Sequence, residues 1–416
     1  MKFLQLILGA VAPMVVMATT IHQSAYWSLE RTYKLKVQTI ERQIKQQYEE
    51  YAKSNNYPKV DLNLYKKREK TEFATGDTSI QNSTNYSVTL TQNLYNGGYD
   101  SNALKMAKQD SKIAQLEYEN IKQKVIYEAI NTHMALIVSN ELLKMQKELI
   151  AHYQALWNIV KKKRDYGDAN EQVELQSRLD SAKVKYEQLV ADYELKKLKY
   201  IELTGRQPTR LQSSLGFRDS LMVHPDRVKL HNNEELVRNL LEIEKAHYQI
   251  AQDRARFLPK IDVELKAYKA EPLAQTAYIT ENQYSAKINL SYNLYSGGKD
   301  KIESEISRLK KLKLMAQRSD TFRDVHLKYA DYYLQYRYAS NNIANLERFI
   351  QGESNRYYRA KKIFTLSQDK SLLDILSALE GLYGAKELKM NNLSNKVLQY
   401  ANMLLLQSKL SLKALQ

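Results

Sequence analysis

The side chains able to do chemistry in this sequence do not come together in any pattern that chemistry needs. His22, His133, His152, His224, His231, His247 and His326 are scattered, and none forms a metal-ligand spacing with another on a helix face. Cysteine is absent, which removes thiolate nucleophiles, disulfide frameworks and cysteine-based zinc sites. No nucleophile elbow, phosphate-cradling glycine loop or carboxylate pair with a pocket signature occurs. The expectation is a protein that is not an enzyme, with no catalytic residue, no cofactor and no metal. The densest charge run is Lys161-Lys162-Lys163-Arg164, in a chain with 63 Lys+Arg against 47 Asp+Glu. Such a run would suit nucleic acid. Lys and Glu alternate elsewhere on the same segments, however, so it reads as the solvated face of a long helix, and nucleic acid is not an expected partner.

The elements around these residues are more informative. Lys2 followed by the apolar run Phe3 to Ala18 reads as an export signal over residues 1–18, with Val16-Met17-Ala18 as the cut site. A membrane anchor is the alternative, but the run falls short of the roughly 17 residues a spanning helix needs. No other apolar stretch is long enough to cross a bilayer as a helix. If this chain spans a membrane, it does so with strands.

The chain is written twice. Asn93-Leu94-Tyr95-Asn96-Gly97-Gly98 recurs as Asn293-Leu294-Tyr295-Ser296-Gly297-Gly298. Upstream, Tyr57-Pro58-Lys59-Val60-Asp61 recurs as Leu258-Pro259-Lys260-Ile261-Asp262. The offsets, 200 and 201 residues, agree in size and order. The first copy is placed at 26–206 and the second at 233–416. A linker carrying Pro208, Gly216 and Pro225 joins them over 207–232.

Each copy reads as a helix, two strands, a very long helix and a returning helix. Neither proline nor glycine occurs from Tyr99 to Tyr166, and Gly167 interrupts before the run resumes. Ala114, Tyr118, Ile121, Val125, Ala129, Thr132 and Leu136 form a stripe at spacings of three and four. The pattern predicts helices at 98–166 and 168–205, then at 298–366 and 369–412. A helix of about 65 residues is roughly 100 Å long, the scale of a coiled-coil rod. Before each Gly-Gly landmark the period drops to two. Tyr284, Ala286, Ile288, Leu290, Tyr292 and Leu294 alternate with polar residues, as do Val60, Leu62 and Leu64. Strands are predicted at about 58–70 and 84–96, and at about 259–270 and 283–296. Polar loops over Lys66–Asn85 and Lys269–Gln283 would join them. Strands of about ten residues with one apolar face suit a transmembrane barrel. Tyr65, Tyr86, Tyr95, Tyr268, Tyr284 and Tyr295 sit near the strand ends, where interface aromatics belong. Four strands cannot close a barrel, and open edges are not tolerated in lipid, so two, three or four copies must share one.

These features resemble the TolC-like outer membrane factors, efflux and secretion channels. The paired Asn-Leu-Tyr-x-Gly-Gly motifs carry the resemblance. So does Leu372-Leu373-Asp374-Ile375-Leu376-Ser377-Ala378 followed by Leu382-Tyr383-Gly384-Ala385-Lys386, which looks like that family's last returning helix. The resemblance implies a mainly α fold with a β-barrel part. It implies a homotrimer that shares a twelve-strand barrel in outer-membrane lipid and extends a helical tunnel into the periplasm. The expected function is a passive export duct working with a periplasmic adaptor protein and an inner-membrane pump. By the matching segments, the periplasmic constriction falls on Asp374 and Ser377, where the serine thins the usual acidic pair, and on Glu174 in the first copy if one residue is inserted. The adaptor-contact tips fall on Gly167 and on Ser367-Gln368, where a second glycine is expected. Tyr95 and Tyr295 are assigned to the strand-end belt. The compact mature chain looks like the shorter family members, which include partners of heavy-metal exporters. The rival reading is a coiled-coil tether of the envelope, held to a membrane surface by basic helix faces. A tether has no use for two amphipathic hairpins one repeat apart.

Overall fold

A computed structural model of the chain describes residues 18–162, 169–212, 222–269, 282–366 and 372–415. The elements, in order, are α1 (Ile21–Arg31), α2 (Tyr33–Ser54), β1 (Lys59–Glu72), β2 (Thr78–Tyr95), α3 (Tyr99–Lys162) and α4 (Ala169–Thr204). The second half follows with α5 (Glu234–Ala255), β3 (Lys260–Lys269), β4 (Asn282–Ser291), α6 (Lys299–Leu366) and α7 (Leu372–Leu406). The predicted entry helix is two helices, parted at Thr32, whose extended backbone caps α1. A capping box formed by Thr20 and Gln23 starts α1. The last helix ends at Leu406, short of the predicted 412. The chain turns through Ser408, at φ 54°, into a 3-10 turn at Leu412–Leu415.

The chain divides into two compact units, with boundaries inside α2, α3 and α6 and at the start of α5. One unit holds residues 37–118 and 234–322. Its strands form an antiparallel sheet in the order β1-β2-β3-β4, leaving β1 and β4 as edges. Register aligns the faces across all four strands. Val60, Leu90, Leu265 and Ala286 share one row, and Leu62, Val88, Ala267 and Tyr284 the next. Lys59, Thr91, Glu264 and Lys287 make a row on the other face, as do Asp61, Thr89, Lys266 and Ser285. A one-residue slip would reverse every side chain, so the apolar face fixes the register. A bulge between Asn93 and Tyr95 sets Tyr95 opposite Ile261.

The first hairpin corrects the sequence reading. The expected loop Lys66–Asn85 is mostly paired: Lys66 opposes Thr84, and the ladder runs on to Glu72 opposite Thr78. The turn is confined to Phe73–Asp77. The Phe73 N–H donates to the Asp77 carbonyl at 2.9 Å, and Gly76 takes φ +84°. Beyond Tyr86 both faces turn polar, so the alternation that marks a half-buried strand disappears although the ladder does not. β4 differs in the opposite sense and stops at Ser291 rather than 296. Among the described residues its outer edge has no partner to hold Tyr292–Tyr295 in a ladder.

The other unit holds residues up to 36, 119–233 and from 323 on. Tyr153, Leu156 and Val160 of α3, Leu175 and Leu179 of α4, Tyr357, Ala360 and Phe364 of α6, and Leu372, Ile375, Leu376 and Leu379 of α7 pack into one core. Burying such residues at spacings of three and four on four helices is the main stabilising term of this bundle, at roughly 1.5–3 kcal/mol per large side chain.

Candidate functional site

Two surfaces bear on function, and the sheet is the first. Its apolar face is exposed: Leu62 at 72%, Leu64 at 71%, Ile288 at 73% and Leu290 at 67%. An uncovered sheet face of this size marks a surface meant for something other than water. β4, from Asn282 to Ser291, is roughly 30 Å long at the strand rise, enough for the apolar band of a membrane barrel. The tyrosines divide between the faces. By register, Tyr86 and Tyr284 stand on the apolar face at the hairpin end, and the Tyr86 hydroxyl donates to Asn282 Oδ1 at 2.6 Å. Tyr95 stands at the helix end of that face, opposite Ile261, and Tyr295 lies past the end of β4 and is 84% exposed. Tyr65 and Tyr268 lie on the polar face, so the strand-end tyrosines do not all share one side of the sheet. On the polar face cations and carboxylates pair along β1 and β3: Lys59 with Asp61 at 3.0 Å, Lys67 with Glu69 at 2.8 Å and Lys260 with Asp262 at 3.1 Å.

The second surface is the pair of returning-helix N-termini in the bundle unit. Asp374 lies in the first turn of α7, half-buried, in a groove lined by Arg356, Arg359 and Ile363 of α6. Ser377, one turn on, is exposed. Glu174 on α4 accepts from Arg178 Nε at 2.6 Å, and Arg178 also pairs with Glu380 of α7. Lys185 and Glu387 repeat this α4–α7 link two turns further along, at 3.1 Å. The Glu171 carboxylate accepts from the Leu372 N–H at 3.1 Å and so caps α7. Tyr153 lies beneath Arg178, where burial, and after it the Glu380 carboxylate, pushes its hydroxyl up to about 12. Arg178 itself is raised, because its hydrogen bonds to Glu380 and Glu174 outweigh its burial. The expected tips Gly167, Ser367 and Gln368 lie outside the described residues, as do Lys163 and Arg164.

Sequence reasoning passed over His133, which the fold makes central to the bundle unit. Its Nε2–H donates to the Gln212 carbonyl at 2.9 Å, so Nδ1 accepts from the Ser24 hydroxyl at 2.8 Å. The Tyr200 hydroxyl meets Ser24 at 2.8 Å. Burial lowers the imidazole to about 4, against a smaller raising effect of the Gln212 carbonyl. One neutral side chain thus ties α1, α3, α4 and the linker together. The signal available in sequence was weak: one histidine on an apolar helix face, with partners more than 60 residues away. Among the described residues no His/Asp/Glu group is placed to hold a metal ion, and no helix is long and apolar enough to cross a membrane.

Comparison with known proteins completes the picture. A family model described as outer membrane efflux protein matches residues 26–197 and 228–403, one segment in each copy. Among curated proteins no sequence relative matches. Among solved structures, the chain is similar to CusC, with 12% identity, TM-score 0.82, and 93% of this chain and 91% of that one covered. It is similar to the Campylobacter jejuni outer membrane channel CmeC, with 16% identity, TM-score 0.81, and 94% and 85% covered. It is also similar to the outer membrane protein VceC of Vibrio cholerae, with 14% identity, TM-score 0.81, and 93% and 96% covered. A chain with tandem helix-strand-strand-helix-helix repeats, an apolar-faced antiparallel sheet and a family match over both copies belongs to the outer membrane efflux protein family: it is an outer-membrane efflux channel that extends into the periplasm.

Proposed function

We propose that three copies of this chain close one twelve-strand barrel and form a passive duct, which a periplasmic adaptor connects to an inner-membrane pump. The observation that carries the reading is the four-stranded sheet with an exposed apolar face and two unpaired edges. Neither edge is tolerable in lipid, and joining β4 of one copy to β1 of the next removes both. Two helix faces support the same seam. On α2, which leads into edge strand β1, Val37, Ile40, Ile44, Tyr48 and Tyr51 form one exposed apolar arc. On α6, which leaves edge strand β4, Ile302, Ile306, Leu309, Leu312 and Met315 form another. A head-to-tail ring of copies covers each arc with the other, and such an interface closes on itself.

In this reading Asp374, Ser377 and Glu174 line the periplasmic constriction, and Gly167, Ser367 and Gln368 form the tips that meet the adaptor. Tyr95 and Tyr295 belong to the periplasmic-side aromatic belt. Arg178 pairs with Glu174, and Arg356 and Arg359 line the groove that holds Asp374, so cationic side chains accompany both acidic positions within each copy. The duct has a lumen rather than a substrate pocket, catalyses no reaction, and leaves cargo choice to the pump. Mass measurement in detergent tests the assembly: a single homotrimer is expected, and a stable soluble monomer in plain buffer overturns the reading.

A further inference from the structure

Past the tyrosines of the hairpin end, the outward face of the sheet changes chemistry. After Leu64, opposite Tyr86, the next positions of β1 on that face are Lys66, Arg68 and Lys70, opposite Thr84, Asn82 and Ile80. Lys269 of β3, two residues beyond Ala267, shares the face and opposes Asn282. At the strand rise and spacing, the β1 cations extend over about 13 Å, and Lys269 lies about 10 Å to one side. On the inward face Lys59, Lys67 and Lys260 each pair with a carboxylate of their own strand. On the outward face Lys70 meets Glu72, whereas among the described residues no carboxylate pairs with Lys66, Arg68 or Lys269.

We propose that this basic ledge binds the phosphates of anionic lipid headgroups in the outer leaflet. The proposal rests on the barrel reading, which sets the apolar face against lipid and the hairpin end away from the periplasmic helices. Long cationic side chains at the rim of an apolar band and just beyond it extend to the headgroup level, and the stems nearest the band stay over apolar surface. The Arg68 guanidinium offers a planar fork that matches a phosphate, and the lysines add point charges. A free phosphate would meet the cations alone. A lipid meets the cations with its headgroup and Leu62 and Leu64 with its chains, so one molecule engages both rows. Such a ledge holds the barrel at a fixed height and concentrates anionic lipid around it.

The test uses the full chain and a variant carrying K66Q, R68Q, K70Q and K269Q, all exposed or half-exposed positions where glutamine keeps the strand. Both proteins are floated with phosphatidylcholine vesicles, and the lipid retained by the purified oligomer is measured after exchange into phosphatidylcholine mixed with phosphatidylglycerol. The wild type is expected to retain phosphatidylglycerol preferentially, and the variant to lose that preference by roughly fivefold per cation removed. Inorganic phosphate is the third probe and is expected to displace little lipid. Equal retention by both proteins overturns the proposal, as does complete displacement by inorganic phosphate, which would assign the ledge to a free anion. Failure of the wild type to float with any vesicle instead sinks the barrel reading, a separate outcome.

Discussion

Leu290 and Asn289 are adjacent on β4, yet the pleat sends them to opposite faces. If the apolar face meets lipid, Leu290→Arg is expected to weaken assembly by about 2–4 kcal/mol, and Asn289→Arg to be tolerated. Denaturant titration of the reconstituted oligomer reads the difference, and equal tolerance contradicts the facing. His133 makes a prediction of another kind. Its folded value, about 4, lies below the ordinary 6.5, so the unfolded chain binds the extra proton between those limits. The stabilisation is therefore complete above about pH 6.5 and is lost as pH falls toward 4, an effect on the order of 3 kcal/mol. His133→Gln should flatten stability across that window. An unchanged slope would place the titrating group elsewhere.

Among the elements, the repeat gives an internal comparison. Gly97, at φ +65°, sits so close to the junction of α5 and β3 that a Cβ there would lie 2.8 Å from the Ala255 carbonyl and 2.9 Å from Leu258 Cβ. Its counterpart Gly297 has the same backbone, at φ +68°, but among the described residues nothing lies within 4 Å of a Cβ placed there. By the repeat offset, the missing neighbours correspond to Ser54 and Tyr57, at the end of α2. A ring of copies would supply them. Gly297→Ala is accordingly expected to impair the assembled protein as much as Gly97→Ala does, as thermal melting in detergent would measure. A much milder effect at Gly297 means that the seam is not built like the covalent joint. This is also the scale at which the sequence is most and least legible. Prolines kept out of the long segments, and a run from Tyr99 to Tyr166 free of glycine as well, reveal the long helices, and the period of two reveals the apolar-faced parts of the strands. The outer half of the first hairpin is hidden because Lys66–Glu72 is polar on both faces and keeps no period. The end of β4 is misjudged because Tyr292 and Leu294 continue an alternation that, among the described residues, has no strand on its outer side to pair with. At the returning helices the types of residue were readable, but not the arginines beside Asp374 and Glu174, which come from other turns and other helices.

For the whole molecule, the proposed duct is a question of charge on an axis. Three copies of Asp374 would face one constriction, each with Arg356 and Arg359 in the same groove as its carboxylate. Asp374→Asn should then lower cation selectivity in planar-bilayer conductance, by less than an unpaired acidic ring would allow. Unchanged selectivity with a small loss of stability would assign Asp374 to capping α7, where its charge suits the helix dipole. The open edges of the sheet bear on time as well as on form. In the proposed ring, joints inside one chain are made as it folds, whereas β4 and β1 would wait for other copies to arrive, so closure would be a meeting of chains whose rate depends on their concentration. Dilution lengthens the interval in which both edges stand unpaired, and a strand that recognises its own neighbour by backbone hydrogen bonds will accept a stranger's. Supply, and not stability alone, decides how much of this protein becomes channel and how much becomes aggregate.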